Sequence, residues 1–168
     1  MSDSSELIYM DSDRVGRTLK RMAYQVSEDN RQDRDICLFG IGSRGFAVAS
    51  RLNAYLADIY GTEFVLTRLE PQKTLSGKKI SPRRLRECYL LVVDDVIFSG
   101  HTMFTTLNHI YDFFSFDEIH TAVLVDRGHR RFPIQAQFVG LELSTKLKEH
   151  VSVVVQQEKV EKVVLQMG

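Results

Sequence analysis

The stretch CYLLVVDD, residues 88 to 95, is apolar without alternation until two acids end it. A strand with no polar face is buried on both sides, and such strands belong to parallel sheets covered above and below by helices. ICLFGI (36–41) is a second continuous apolar run, and IHTAVLVD (119–126) reads as a further strand. Each of the first two is followed by a glycine-containing turn and then by apolar residues at helical spacing. These are Phe46, Val48, Ala49, Leu52, Leu56 and Ile59 after the first run, and Met103, Leu107, Ile110 and Phe114 after the second. Strands alternating with helices predict an α/β fold, a single three-layer domain with a mostly parallel central sheet, for which 168 residues suffice. Ligands of such sheets bind at the carboxyl ends of the strands, near a change in strand order. That directs attention to the loops 40–45, 94–102 and 126–137.

Outside these units, Val15, Leu19, Met22 and Val26 predict a first helix over 12–28, capped by Ser12 or Asp13. EFVLT (63–67) and VSVVV (151–155) read as strands, FVG (138–140) as a short strand or turn, and RGHRRFPIQAQ as a polar loop. Residues 68–86 mix Pro, Gly and Ser with seven Lys or Arg, which predicts a long, flexible basic loop. No apolar stretch approaches the roughly 20 residues of a membrane helix. The N-terminus lacks the basic-then-apolar order of a secretory signal, so a cytoplasmic protein that avoids membranes is expected. Cys37 and Cys88 sit in apolar runs without a metal-binding neighbourhood and are expected to be buried, reduced thiols. Net charge is zero, so polyanion binding must come from clusters. Arg14, Arg17 and Arg21 on the first helix form one, and Lys78, Lys79, Arg83, Arg84 and Arg86 another. They read either as solvated faces or as an RNA-binding surface.

The turn after residue 95 carries the chemistry. Ser99, Gly100, His101 and Thr102 stand where a helix begins, so unpaired backbone N–H groups, the helix dipole and two hydroxyls can cradle a phosphate. Asp94 and Asp95 beside it suit the vicinal hydroxyls of a ribose, which donate to carboxylates. The same pair is also compatible with a Mg²⁺ site, and an Asp after a strand is often only a turn former. GIGSRG (40–45) formally matches the dinucleotide fingerprint, which leaves a dinucleotide-dependent oxidoreductase as an alternative. Against it, Thr67 and Arg68 stand where that fingerprint wants an acid, and Arg44 inside the turn suits a second anion.

VVDDVIFSGHT resembles the phosphoribosyl-diphosphate (PRPP) signature of type I phosphoribosyltransferases, and GIGSRG looks like that family's pyrophosphate loop. AVLVDRGHRRFPIQAQFVG is similar to a segment of its pyrimidine-operon attenuation regulator and uracil phosphoribosyltransferase branch. The resemblance covers most of 12–155. It implies a Mg²⁺-dependent transfer of ribose 5-phosphate from PRPP to a nucleobase, with uracil favoured. Asp94 and Asp95 would hold the ribose hydroxyls and, indirectly, the metal, while Ser99, Gly100, His101 and Thr102 would hold the 5-phosphate. Ser43, Arg44 and Gly45 would serve the pyrophosphate, with Arg44 acting in catalysis alongside the two acids. For the base end the expected residues are Asp126 and Arg127, whose backbone would read its edge, and Phe138 as a stacking platform. The resemblance also implies a homo-oligomer such as a dimer, and a nucleotide-sensing, RNA-binding attenuation regulator as the alternative function.

Two departures from the family pattern matter. Purine-type relatives carry an acid where this chain has Phe98, a position that serves as general base, so an aromatic there points to a pyrimidine acceptor. The regulator branch has an acidic closing segment where this chain reads TRLEPQKTLSGKKI, leaving Lys73, Lys78 and Lys79 as the available donors.

Overall fold

The computed structural model describes residues 6–71 and 82–167. Its central sheet consists of β2 (Ile36–Ile41), β3 (Val65–Leu69), β4 (Tyr89–Ile97), β5 (His120–Asp126) and β6 (Phe138–Glu142). All neighbours pair in parallel, in the order β3-β2-β4-β5-β6. Helices α1 (Ser12–Asp29) and α2 (Gly42–Tyr60) cover one face, and α3 (Pro82–Glu87) and α4 (His101–Phe113) the other. The apolar runs hide a period of two. Ile36, Leu38, Tyr89, Leu91 and Val93 enter the core under α1 and α2, whereas Cys37, Phe39, Leu90 and Val92 enter the opposite one. Both thiols are buried and free, as expected.

A second sheet was not legible beforehand. β1 (Glu6–Met10), β7 (Glu149–Gln156) and β8 (Lys159–Met167) form an antiparallel ribbon in the order β1-β8-β7, so the VSVVV run belongs to this ribbon and not to the parallel sheet. Gln157 and Glu158, both at positive φ, make the tight turn between β7 and β8. That turn usually announces itself as Asn-Gly or Asp-Gly, and Gln-Glu gave no such signal. Arg51 of α2 fastens the ribbon to the core by donating to the Val160 carbonyl (3.1 Å) and the Ser12 carbonyl (3.2 Å).

Other boundaries move for local reasons. The cap of α1 is Asp11, whose Oδ1 accepts the Arg14 N–H at 2.8 Å, in place of Ser12 or Asp13. Pairing of Cys37 with Val65 sets β3 two residues later than EFVLT suggests. The segment 68–86 contains α3, and Lys73, Lys78 and Lys79 lie outside the described residues. β5 and β6, though parallel, are joined by the loop 127–137 with no helix between them. Among the described residues no helix is long and apolar enough to cross a membrane.

The turn from β2 to α2 is very tight. A Cβ on Gly40 would stand 2.4 Å from the Phe46 Cα and 2.8 Å from its nitrogen, both backbone atoms that cannot step aside. Gly40→Ala should therefore lower stability by about 1–3 kcal/mol, read as a lower urea midpoint. An unchanged midpoint would refute this packing account.

Candidate active site

Strand order reverses between β2 and β4. The chain leaving β2 moves outward to β3, the chain leaving β4 moves the other way to β5 and β6, and the two exits share one crevice. Two helices start there, and at neither does the N-cap residue itself supply a capping side chain. α2 is entered from Ile41 and α4 from Gly100, the latter in a left-handed conformation at φ 84°. At α1, by contrast, Asp11 occupies that role. First-turn N–H groups left open by the N-cap residue, with the positive end of the helix dipole behind them, form an anion site. The crevice has two.

Between them lie the acids. Asp94 is buried within β4 and its Oδ1 accepts the Asp95 N–H at 2.8 Å, while Asp95 is half-buried. Burial, reinforced by the neighbouring Asp95 carboxylate, pushes the Asp94 carboxyl well above the ordinary range. Gly45 closes against this strand. A Cβ there would come within 2.9 Å of the Val93 carbonyl oxygen and 3.2 Å of Asp94 Oδ1. The acid pair and the turn of α2 are thus in direct contact, which explains the last glycine of GIGSRG. Ser43 and Arg44 are exposed on that turn. A cavity of about 540 Å³ opens beside them, bounded also by Phe46 and Arg68 and, from the ribbon, by Val153, Val154 and Val155.

Two oxygen-donor carboxylates suit Mg²⁺, which takes one or two such ligands and completes its shell with substrate oxygens and water. The fit rests on Asp94, whose buried charge and close like-charged neighbour make a cation welcome. Among the described residues no three His, Cys, Asp or Glu side chains form a metal cluster, so the acid pair would act together with oxygens of a bound substrate.

On the other side of the acids, Ser99, Gly100, His101 and Thr102 form the turn into α4. His101 N–H reaches Ser99 Oγ at 3.2 Å, and the Gly100 carbonyl accepts from Phe104 N–H at 2.9 Å. Gly45 thus touches Asp94, residues 99–102 open α4 just past the strand that carries the acids, and Ser43 and Arg44 line the cavity on the ribbon side.

The base-end expectations are corrected. Phe138 is buried in the core beneath α1, not presented to the crevice, because β6 pairs it with Ala122. Asp126 has its carboxylate occupied by the Gly128 N–H (2.8 Å) and Arg130 (2.6 Å), and its carbonyl by Leu143 N–H (2.8 Å). Arg127 N–H is spent on the Ile97 carbonyl at 3.0 Å, so of these backbone groups the Arg127 N–H and the Asp126 carbonyl are engaged within the chain. The Arg127 side chain instead crosses to the segment before β7. It donates through Nε to Thr145 Oγ1 (3.1 Å) and through Nη2 to the Glu149 carbonyl, and lies 4.4 Å over the Phe98 ring. Burial pulls its guanidinium downward, with Glu149 opposing. Phe98 also meets the His129 ring at 5.5 Å, and His129 Nε2 lies 2.6 Å from the Thr145 carbonyl. Phe98, Arg127, His129 and Thr145 thus form the wall beyond the acids. Of these, His129 and Thr145 were missed. A Thr in a polar loop carries no sequence signal of the guanidinium that buries it.

Four of the eight basic residues of the two clusters have partners within the chain, and Lys78 and Lys79 lie outside the described residues. Arg14 donates to the Tyr9 carbonyl (3.1 Å), Arg21 to the Gly140 carbonyl (2.6 Å) and Gln25 (2.9 Å), Arg84 pairs with Asp35 (2.9 Å) and Arg83 with Glu87 (3.3 Å).

The phosphoribosyl transferase domain family matches residues 8–159. The bifunctional protein PyrR of Chloroflexus aurantiacus is 37% identical over 155 residues, covering 86% of this chain and 85% of the relative. That of Pediococcus pentosaceus is 32% identical, covering 93% and 96%. Among solved structures, a hypoxanthine phosphoribosyltransferase from Trypanosoma cruzi in complex with IMP superimposes with a TM-score of 0.76 at 18% identity, covering 98% of this chain and 92% of the other. That likeness establishes the fold. The family match over residues 8–159 replaces the dinucleotide-oxidoreductase reading of GIGSRG, and the chain belongs to the phosphoribosyl transferase domain family, with PyrR proteins among its relatives.

Proposed function

We propose that this protein transfers the ribosyl 5-phosphate of PRPP to a pyrimidine base, uracil in the first place, with Mg²⁺ and with release of pyrophosphate. The observation that carries the reading is the acid pair, Asp94 buried and Asp95 half-buried, set between two helix N-termini whose N-cap residues supply no capping side chain. A sugar with a phosphate at one end and a diphosphate at the other matches that order. The α4 turn takes the 5-phosphate, Asp94 and Asp95 accept from the ribose hydroxyls, and Ser43, Arg44 and Gly45 face the diphosphate.

As the C1–O bond to pyrophosphate breaks, positive charge grows on the sugar ring and negative charge on the leaving oxygens. The carboxylates favour the first, and Arg44 with the α2 N-terminus favours the second. Bound Mg²⁺ would neutralise ribose and pyrophosphate oxygens. A ring nitrogen then forms the new bond to C1, and its proton must leave. Phe98 offers no carboxylate to take it, which suits a ring whose own carbonyls acidify the N–H. The free cysteines are in keeping with a cytoplasmic setting. An RNA-binding role gains no support from the first helix, whose Arg14 and Arg21 are engaged with backbone carbonyls.

Incubation with PRPP, Mg²⁺ and each of uracil, cytosine, orotate, hypoxanthine and guanine should give uridine monophosphate and pyrophosphate with uracil, and little product otherwise. Absence of pyrophosphate release with every base of the panel would defeat the proposal, as would preference for a purine.

Replacing Asp94 and Asp95 by Asn should lower kcat/KM about a hundredfold or more. Asp94→Asn alone tests the electrostatics separately. An acid whose folded pKa is raised adds stability at low pH that is lost as pH rises through that value, so by pH 7 the buried Asp94 carboxyl costs the free protein stability. The Asn variant should therefore show a urea midpoint at pH 7 equal to or above that of the parent, with the difference shrinking toward about pH 4. A clear loss of stability at pH 7 would contradict this account of Asp94.

A further inference from the structure

We propose that Arg130 is a positioning residue for the 5-phosphate turn, acting by fixing which way two peptide planes face; this rests on the phosphoribosyl reading above. Arg130 donates from Nη1 to the Phe98 carbonyl (2.8 Å) and the Gly128 carbonyl (3.4 Å), from Nε to the Ile134 carbonyl (2.8 Å), and from Nη2 to Asp126 Oδ2 (2.6 Å). Four of the five guanidinium N–H groups are thereby spent on the protein itself, so this arginine works through its neighbours. The next two residues continue the contact, since Arg131 N–H (2.9 Å) and Phe132 N–H (3.1 Å) both donate to the Ser99 carbonyl.

The consequence follows from peptide geometry. In a planar trans peptide the C=O and the following N–H point in opposite directions, and the described chain has no cis bond. With the Phe98 carbonyl held back by Arg130, the Ser99 N–H faces away from the loop 130–134. With the Ser99 carbonyl held back likewise, so does the Gly100 N–H. Both donors are then aimed toward the anion side of the turn. The backing is close-packed as well. A Cβ on Gly100 would meet Ile134 Cγ2 at 2.6 Å, Arg130 Cδ at 3.4 Å and Phe132 Cβ at 3.6 Å. Asp126, expected at the base, instead holds the guanidinium in place from the end of β5, its other oxygen accepting the Gly128 N–H.

Losing the fork would release the Phe98 carbonyl, and a rotated peptide would turn an oxygen toward the phosphate. The pyrophosphate turn at 43–45 belongs to a different helix and would be untouched. Titration calorimetry should separate the two ends. In Arg130→Ala, affinity for ribose 5-phosphate should fall roughly tenfold or more, the scale of an unmade hydrogen bond to a buried partner. Affinity for Mg²⁺-pyrophosphate should stay within about twofold in the same variant. KM for PRPP should rise more than kcat falls. Arg130→Lys keeps the charge but not the fork, so it should recover only part of the ribose 5-phosphate affinity. Full recovery by Lys would show that charge alone matters and would overturn the proposal. Equal losses at both ends, or no loss at either, would overturn it too. Failure of the parent protein to bind ribose 5-phosphate would instead sink the phosphoribosyl reading, and this inference with it.

Discussion

The pairing of β2 with β4 is the contact from which the site is built. Their register, from Ile36 opposite Tyr89 to Gly40 opposite Val93, brings the exits of two separate strand-turn-helix units to the same height. Because the chain leaves these strands in opposite directions across the sheet, the exits open toward each other. A shift in that register would leave both cores apolar but would separate Gly45 from Asp94. The tight contact of Gly45 with the Val93 and Asp94 backbone makes such a shift costly, since backbone meets backbone there.

The crevice is held in an electrostatically unfavourable state. The N-cap residues of α2 and α4 supply no capping side chain where α1 shows that the chain can supply one, and a carboxyl group is buried beside another. Each would be improved, for stability alone, by a substitution that the reaction does not tolerate. Stability is recovered elsewhere, in the two apolar cores and in arginines that fasten one element to the next. Arg51 joins the ribbon to α1 and α2, Arg21 joins α1 to β6, and Arg127 joins β5 to the segment before β7.

The central sheet and helices α1, α2 and α4 were legible because each rests on a local signal, a continuous apolar run, helical spacing or a glycine at a turn, whereas α3 lies in a segment that read as a loop. The ribbon was not legible either. Its strands lie at opposite ends of the chain, β1 pairs with β8, and the Gln157–Glu158 turn lacks the residues that normally mark a hairpin. The wall around Phe98 was only half legible for a related reason. Phe98 itself stood out beside the acids, whereas the burial of Arg127 depends on Thr145 and the Glu149 carbonyl, which only the folded chain brings near. Phe138 was misjudged because residue type does not reveal a core-facing register, and the ion pair of Asp126 with Arg130 carries no sequence signal.

Gly45 has one more implication. With no space between it and the Val93 carbonyl, the turn that opens α2 and the strand that carries the acids cannot move closer together. On the far side the α4 turn is backed by the loop 130–134. On the proposed reading, the floor of the crevice would be a gauge with three marks, set to the length of the donor molecule. A sugar phosphate lacking the second anion, or carrying it one bond further out, would engage two marks and miss the third.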